Sequence, residues 1–442
     1  MKTKLLGSAF GLSILCVLGF AIPAKAQFVI GGQLVQRGEF RSGYGKLIPG
    51  GSDPAAFVGQ RFRLQANYKF DKVTLFASVQ DVRTWGSTSQ LNISDGFFSL
   101  HEGWGEIHFD SCWSAKIGRQ ELNYDNSRFL GNSDWNFQGR SHDFALVKYE
   151  KNKLKIHFGA GYNQNAEALS GNIFSIASQY KTAQMLRAED KFGKLEMGIV
   201  FWNNGKQFTV LDTANVIADK GIRYSQTIGI STLKYQLTNT TFSAFYYHQI
   251  GKDVNNKNMN AYDAGFQVSQ LFHANEEKKN QVRVSLGGEM ISGTNNNNTS
   301  NNNNSYSPLY GTNHMHNGYM DMFYVTGRNE NSTGLNDIFL LVKYELVPSF
   351  FISVNGHYFT TNADYFIGTE KQKSQLGTEA DVTMGFILNK SVSFQAGYSQ
   401  VFSQNTLEKI QSISNPQNIQ NWAYLMIIIR PDSDKKFIGL VF

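Results

Sequence analysis

Polar and apolar residues alternate with a two-residue period along most of this 442-residue chain. In the segment 59–70, GQRFRLQANYKF, every second residue from position 62 onward is apolar, and the residues between them are polar or charged. The same alternation recurs at 154–163, 376–388 and 392–399. Successive side chains of a β-strand point to opposite faces, so this pattern indicates strands with one apolar and one polar face.

About 18 segments of this kind can be counted, which predicts an all-β fold. They begin near residues 28, 60, 73, 99, 113, 142, 154, 181, 194, 221, 240, 261, 280, 336, 350, 375, 391 and 419. Short turns, such as 71–72 and 389–390, alternate with polar loops of roughly 10 to 40 residues. This rhythm is typical of a transmembrane antiparallel β-barrel with short periplasmic turns and long extracellular loops. Lipid offers no hydrogen-bond partners, so such a sheet has to close on itself.

Aromatic residues occur at the ends of several predicted strands, where a barrel needs a girdle at each membrane interface. These residues are Tyr68, Phe70, Trp113, Tyr162, Trp202, Tyr344, Tyr358, Tyr398, Trp422 and Tyr424. Only 17% of the chain is charged and the mean hydropathy is −0.33. A helical membrane protein is excluded, because the longest apolar run beyond the N-terminal region, 422–429, is far shorter than the ~20 residues that a spanning helix needs.

The first residues of the chain have the pattern of a secretory signal peptide, with two lysines, an apolar stretch and a small-x-small cleavage site. We therefore predict a signal peptide at 1–26, a mature barrel at 27–442 and a location in the outer membrane of a Gram-negative bacterium. A membrane anchor, or a lipoprotein site at Cys16, is disfavoured because the stretch is short and a large residue precedes the cysteine. Cleavage removes three lysines and no acid, which lowers the formal net charge from +6 to +3. Cys112 alone remains, so no internal disulfide can form.

The alternation is disturbed at two places. In the strand predicted from residue 73, Asp81 and Arg83 continue the face that carries Val73 and Leu75. A charged pair that faces lipid is costly, so we predict a β-bulge there or an exit of the strand from the bilayer. Arg119 raises the same question, because it continues the apolar face of its own strand.

Motifs of a known family lie mainly between residues 55 and 150. They are R-x-R at 61–63, Q-D-x-R at 80–83, G-R-Q-E-L at 118–122, G-x-x-x-W-x-x-x-G-R at 131–140 and, outside that region, W-x-Y at 422–424. With these motifs the sequence resembles the alginate-export family of outer-membrane porins. The resemblance implies an 18-stranded monomeric barrel, and the best-understood members pass an acidic polysaccharide through an arginine-rich constriction.

The resemblance also implies which residues form the pore wall. Carried over one by one, the candidates are Arg61, Arg63, Asp81, Arg83, Arg119, Gln120, Glu121 and Arg140. Outer-membrane lipid and the barrel-insertion machinery are the implied partners, since a terminal aromatic residue, here Phe442, is usual for assembly. We predict a porin for passive passage of small hydrophilic or anionic solutes, or of an acidic polysaccharide as in that family.

Bases and acids are equally frequent on the polar faces that we expect to line the lumen. The bases are Arg61, Arg63, Lys69, Lys116, Lys155, Arg187, Arg223, Arg283 and Lys343. The acids are Glu102, Glu106, Glu189, Glu196, Asp263, Glu289, Asp337, Glu379 and Asp381. Charges in a pore set selectivity, but cross-strand ion pairs also simply hold strands together. The balance keeps a neutral or mixed saccharide open as a substrate beside an anionic one.

The alternative function is an adhesin or structural barrel whose extracellular loops bind a partner. The longest loop, about 292–336, contains NNNNTSNNNNSY, which is of low complexity and is expected to be mobile, while its remainder could fold into the lumen as a constriction. A hydrolase would need a nucleophile beside a histidine, and the histidines stand in no recognisable motif. We expect no enzymatic activity, no cofactor, no metal and no nucleic-acid partner. Whether the closing strand is 419–430 or includes the tail after Pro431 stays open.

Overall fold

The computed structural model describes residues 27–91, 95–273, 280–323, 333–431 and 433–440. The predicted signal peptide and Phe442 lie outside the described residues. The wall consists of β1 Gln27–Ser42, β2 Ala55–Phe70, β3 Val73–Thr84, β4 Phe98–His108, β5 Trp113–Gln120, β6 His142–Lys151, β7 Leu154–Tyr162, β8 Thr182–Phe192, β9 Leu195–Leu211, β10 Ile217–Gln236, β11 Thr240–Lys252, β12 Asn258–His273, β13 Gln281–Ile291, β14 Leu335–Val347, β15 Phe350–Thr360, β16 Gln375–Ile387, β17 Val392–Ser403 and β18 Gln420–Ile429. A short helix, α1 Asn405–Ile410, lies in the last loop. No helix within the described ranges is long and apolar enough to cross a membrane.

The sheet closes on itself. Each strand pairs antiparallel with the next one, and β1 also pairs with β18, with Leu34 opposite Ile429 and Ser42 opposite Asn421. Closure gives the backbone groups along this seam partners that lipid could not supply. The predicted antiparallel barrel of 18 strands is confirmed. Its closing strand ends at Ile429, before the tail.

Burial separates the two faces of each strand. On β2, Phe62 and Leu64 are each 45% exposed, whereas Arg61 and Arg63 are 0% and 3% exposed. The exposed apolar side chains form the surface that faces lipid, and the buried polar ones point into the lumen. The apolar faces predicted from the alternation therefore point outward and the polar faces point into the lumen, as expected.

Two extracellular connections are much shorter than the predicted loops. Strands β9 and β10 extend to leave only residues 212–216 between them, and β11 and β12 are joined by 253–257. Each turn is closed by an aspartate: Asp212 Oδ1 accepts the Val216 N–H at 2.8 Å, and Asp253 Oδ1 accepts the Lys257 N–H at 2.8 Å. Aspartate readily makes such local hydrogen bonds. They stabilise the two tight turns, so that both hairpins can continue beyond the apolar surface that faces lipid.

Three of the aromatic residues assigned to the girdles point into the barrel instead. Trp202, Trp422 and Tyr424 are 0%, 1% and 6% exposed. They contact the third loop, 121–141, which folds into the lumen: Phe129 lies 6.3 Å from Trp202 and Trp135 lies 5.6 Å from Trp422, between ring centroids. These side chains stand on the inward face of their strands and have a packing partner there, so the girdle prediction is wrong for them.

The seventh loop, 292–334, joins the third loop inside the barrel, apart from 324–332, which lie outside the described residues. Its Tyr310 and Met320 are 6% and 0% exposed. The expected infolding of this part is therefore observed. The asparagine-rich part was expected to be mobile, but it has defined partners: Asn303 is 3% exposed and its Nδ2 donates to Asp253 Oδ2 at 3.0 Å.

The C-terminal tail turns back into the lumen after β18. The side chain of Gln395, on the inward face of β17, donates to the Ile438 carbonyl at 3.0 Å and accepts the Ile438 N–H at 3.1 Å. Gly439 lies against Trp135 so closely that an added Cβ would be 2.4 Å from the indole Cε3 atom. The tail thus adds no strand to the wall and packs against the third loop from within.

Candidate channel interior

Charged residues of opposite sign occupy different parts of the inner wall. A basic arc is formed by Arg37 on β1, Arg61 and Arg63 on β2, and Arg430 directly after β18, with exposures of 0–7%. An acidic arc on β12 to β16 contains Asp263, Glu289, Asp337, Glu379 and Asp381, with exposures of 0–6%. Buried charges need partners, and the infolded loops supply several of them.

The third loop meets the basic arc through Asp134. Its carboxylate lies 2.9 Å from Arg61 Nη2 and 2.9 Å from Arg430 Nη2. Burial alone would raise the pKa of Asp134, but Arg61, Arg430 and Arg63 outweigh burial and hold this pKa well below the usual range. Arg37 Nη1 adds a hydrogen bond of 3.0 Å to the Trp135 carbonyl.

The same loop meets the acidic arc through Arg128. The guanidinium is fully buried, lies 3.3 Å from Asp263 Oδ2, pairs with Glu289 and donates to Asn317 Oδ1 at 2.7 Å. A single loop thus provides an anion to the basic arc and a cation to the acidic arc. The charges of both arcs fix its position.

The third and seventh loops are also joined to each other. Arg140 Nη1 donates to the Gly311 carbonyl at 2.8 Å, the Gly131 carbonyl at 3.2 Å and the Tyr310 carbonyl. The Gly131 N–H donates to the Tyr310 carbonyl at 2.9 Å. The pore-wall candidate Arg140 therefore lies at a joint between two loops.

Aromatic packing reinforces this joint. The Trp135 ring stacks on His314 at 4.0 Å, and its centroid lies 5.2 Å from that of Tyr424. The Arg37 guanidinium also lies over the indole, 4.1 Å from the ring centroid. Contacts of this kind are worth ~0.5–1.5 kcal/mol each beyond area burial.

Gln120 and Glu121 point inward, as the resemblance implied. Gln120 is 0% exposed and donates to the Phe144 carbonyl at 2.8 Å. Glu121 Oε1 lies 2.9 Å from His101 Nε2 and 4.0 Å from Arg63 Nη1. Of the eight candidates, Arg61, Arg63, Gln120, Glu121 and Arg140 are thus brought into the interior.

Asp81, Arg83 and Arg119 lie on the outer face, which corrects their assignment to the pore wall. Arg83 Nε donates to Asp81 Oδ1 at 2.6 Å, and Arg119 Nη1 lies 3.1 Å from Asp143 Oδ2. Each of these outward charges is neutralised by a neighbour on the same face. The pairing lowers the cost of a charge on the outer face, so the charge alone does not require an inward position. Arg83 has Asp95, in the loop between β3 and β4, as another partner, at 3.2 Å.

The β-bulge predicted in β3 is absent from that strand, and the irregularity lies on its neighbour, β4. Ser78 pairs with Glu102 and Val79 with Leu100, so His101 of β4 is the extra residue. His101 and Glu102 consequently both face inward. Alternation along β3 itself continues unbroken, which leaves Asp81 outside.

A polar cavity of about 160 Å³ lies beside the basic arc. It is lined by Gly32, Gln33, Arg63, Gln65, Glu121, Asn132, Asp134, Arg430, Ser433 and Lys435. Lysine and arginine slightly outnumber the carboxylates here. The third loop and the tail both contribute, so the shape of the cavity depends on segments other than the wall.

One group within the described residues has three candidate metal ligands close together. Atoms of His101, Glu102 and Glu121 lie within 4.8 Å of one another. Glu102 accepts the Glu121 N–H at 3.0 Å, and Glu121 is shared by His101 and Arg63. A metal ion would compete with Arg63 for the Glu121 carboxylate. We therefore interpret the group as an ion-pair network.

Sequence reasoning did not identify the roles of Arg37, Arg128, Asp134 and Arg430. A signal for two of them was available, because the third loop combines charged residues with Phe129 and Trp135. Large aromatic residues are unusual in a loop that only meets water, so they indicate a loop that packs inward. The signal does not reveal which arc each charge meets.

Solved structures with the same fold are porins and related outer-membrane proteins. OpdO of Pseudomonas aeruginosa superimposes with a TM-score of 0.58 at 12% identity, covering 91% of this chain and 96% of that one. A BenF-like porin of Pseudomonas fluorescens Pf-5 gives 0.57 at 12% identity, covering 92% and 98%. OccK1, or OpdK, of P. aeruginosa gives 0.56 at 12% identity, covering 91% and 98%.

These similarities establish the fold, which is that of an outer-membrane porin, and they agree with the predicted location. No family model and no curated protein matches the sequence. The resemblance to the alginate-export family is therefore supported only at the level of a porin barrel.

Proposed function

We propose that this protein is a passive outer-membrane channel for small hydrophilic solutes and that it favours anions. The observation that carries the proposal is the polar cavity inside the barrel, where Arg63, Arg430 and Lys435 meet. An arginine offers a planar pair of donors that matches a carboxylate. A small organic acid would find these donors in place of part of its hydration shell.

Small solutes are favoured over an acidic polysaccharide, which the resemblance implied. The third and seventh loops fold into the lumen and are tied to each other by Arg140 and to the acidic arc by Arg128. A polymer would need both loops to leave together, at the cost of several buried contacts. A small anion needs only the space between the side chains that line the cavity, with both loops in place.

Planar-bilayer recording of the purified protein tests the proposal. We expect stable ion conductance and, in a KCl gradient, a reversal potential that indicates preference for chloride. Liposome swelling should then report uptake of vanillate, chosen because OpdK of P. aeruginosa has been crystallised with it, and weaker uptake of an oligouronate. Absence of conductance would overturn the channel and leave the adhesin alternative, while equal uptake of long oligouronates would restore the polysaccharide.

A further inference from the structure

The barrel wall has a notch between β4 and β6. The last residue pair between β4 and β5 is Gly103 with Arg119, and β5 ends one residue later. Strand β4 runs on to Phe98 and is paired there with β3 alone. Within the described residues, no strand covers the other edge of 98–102.

The notch exists because the chain turns inward directly after β5. Leu122, two residues beyond the strand, is 1% exposed and belongs to the packed lumen. The chain returns to the wall at His142, which lies opposite Gln120. The residues that could have extended β5 and β6 alongside 98–102 of β4 thus form the third loop instead.

A cavity of about 330 Å³ lies at this free edge. Its lining includes Leu100, which is 50% exposed on the outer face, and Arg119, which is also on the outer face. It includes Gln80 and His101 as well, which face the lumen and are each 4% exposed. The cavity is thus lined by residues of both faces and lies within the thickness of the wall.

A segment of the third loop lies between this cavity and the polar cavity at Arg63. Gly139 packs between His101 and Arg63, and a Cβ there would lie 2.7 Å from His101 Cε1 and 3.3 Å from Arg63 Nη2. The Gln138 carbonyl accepts Gln80 Nε2 at 2.8 Å. Joining the two cavities therefore requires this segment of the third loop to move.

The lining changes in character from the outside to the inside. Phe97 and Leu100 provide apolar surface near the lipid face, and His101 and Ser141 provide polar groups toward the lumen. The volume lies near the lower end of the ~300–1,000 Å³ range of small-molecule sites. A ligand that fits both environments has an apolar body and a polar or anionic head.

We infer that this notch is a side entrance through which small amphipathic anions exchange between the outer leaflet and the lumen. Arg119 is the residue that can bind the anionic head at the mouth, because its ion pair with Asp143 is exposed and such pairs contribute little stability, so an anion can compete with Asp143 for the guanidinium. The inference rests on the proposed channel in using the same lumen, but it adds a second route with a different solute preference.

The test compares two anions of similar size in proteoliposomes: 2-naphthalenesulfonate, which has an apolar body, and gluconate, which has none. Gly96 lines the cavity and has nothing within 4 Å of an added Cβ, so Gly96→Trp should fill the entrance. Ser99→Trp, from another lining position, is the second closing variant. Gly356→Trp is the matched control, because Gly356 is exposed on β15 and equally unobstructed.

We expect both closing variants to reduce influx of 2-naphthalenesulfonate severalfold and to leave gluconate influx unchanged, whereas the control changes neither. An equal fall for both anions would make the cavity part of the axial path, and no change in either would show that it carries no solute. Both outcomes overturn the side entrance. Wild-type protein that passes gluconate but not 2-naphthalenesulfonate overturns it too, whereas wild-type protein that passes neither solute nor ions overturns the channel itself.

Discussion

The Asp134 carboxylate lies 2.9 Å from Nη2 of Arg61, an arginine that is fully buried on β2. The same carboxylate is shared with Arg430, so one side chain of the third loop neutralises two cations of the wall. The residue that the resemblance placed in the pore wall thus has a positioning role. Its guanidinium holds the loop that narrows the lumen.

Asp134→Asn should release the third loop from the basic arc. Breaking a buried ion pair leaves uncompensated charge, and because Asp134 is partly exposed we expect a loss of about 2–3 kcal/mol. Single-channel recording should show a larger and noisier conductance. Asp71→Asn, in a periplasmic turn, is the control, and an unchanged conductance in Asp134→Asn would show that other contacts suffice.

The pH dependence of the channel should follow the same ion pair. Asp134 has a pKa below that of an unfolded aspartate, so its stabilisation is complete above about pH 4 and is lost as the pH falls from there toward the folded-state pKa. We expect constant conductance between about pH 7 and pH 5 and a rise only below about pH 4. The rise should be missing in Asp134→Asn; a transition near neutral pH would point to another group.

Arg63 and Arg83 should differ sharply in their effect on ion selectivity. Arg63 lines the polar cavity, whereas Arg83 is paired with Asp81 on the outer face. Arg63→Gln should lower the preference for chloride roughly two- to tenfold, because charge near a constriction sets the local ion concentration. Reversal potentials in a salt gradient measure this change. Arg83→Gln is the matched control, and a shift there as large as in Arg63→Gln would place Arg83 back in the conduction path.

The tail should become accessible when its anchor is removed. Gln395→Ala deletes both hydrogen bonds to Ile438, at a cost of about 1–3 kcal/mol. We expect faster digestion of the tail by carboxypeptidase and a higher conductance. Gln400→Ala lies on the same strand away from the tail and should change neither, and a tail that stays protected in Gln395→Ala would show that its other contacts hold it.

The wall of the barrel is the part that sequence predicts well. Each strand faces lipid on one side and polar groups on the other, so the periodicity of segments such as 59–70 follows directly from the environment. The free edge beside β5 is different. Strand β5 is short because the residues that follow it, such as Leu122 and Phe129, pack inside the barrel. This packing is a tertiary effect, which the periodicity of a single segment does not show.

The candidate interior was harder to predict, for a physical reason. Alternation assigns a face: it puts Arg61 and Arg63 inside, where they lie, and it puts Asp81 and Arg83 outside, although the resemblance assigned those two residues to the pore wall. It says nothing about charge compensation between neighbours, which is what allows an outward arginine. Nor can a loop motif such as 131–140 tell whether Arg140 meets solute or the carbonyl groups of another loop.

The positions of Arg128 and Asp134 within one loop have a consequence for how that loop enters the barrel. Six residues apart along the chain, they meet arcs of opposite sign. A loop inserted the other way round would bring cation to cation and anion to anion at both ends. Buried ion pairs often add little net stability, yet mismatched ones are strongly unfavourable. The two charges therefore favour a single orientation of the third loop in the lumen while the barrel is being assembled.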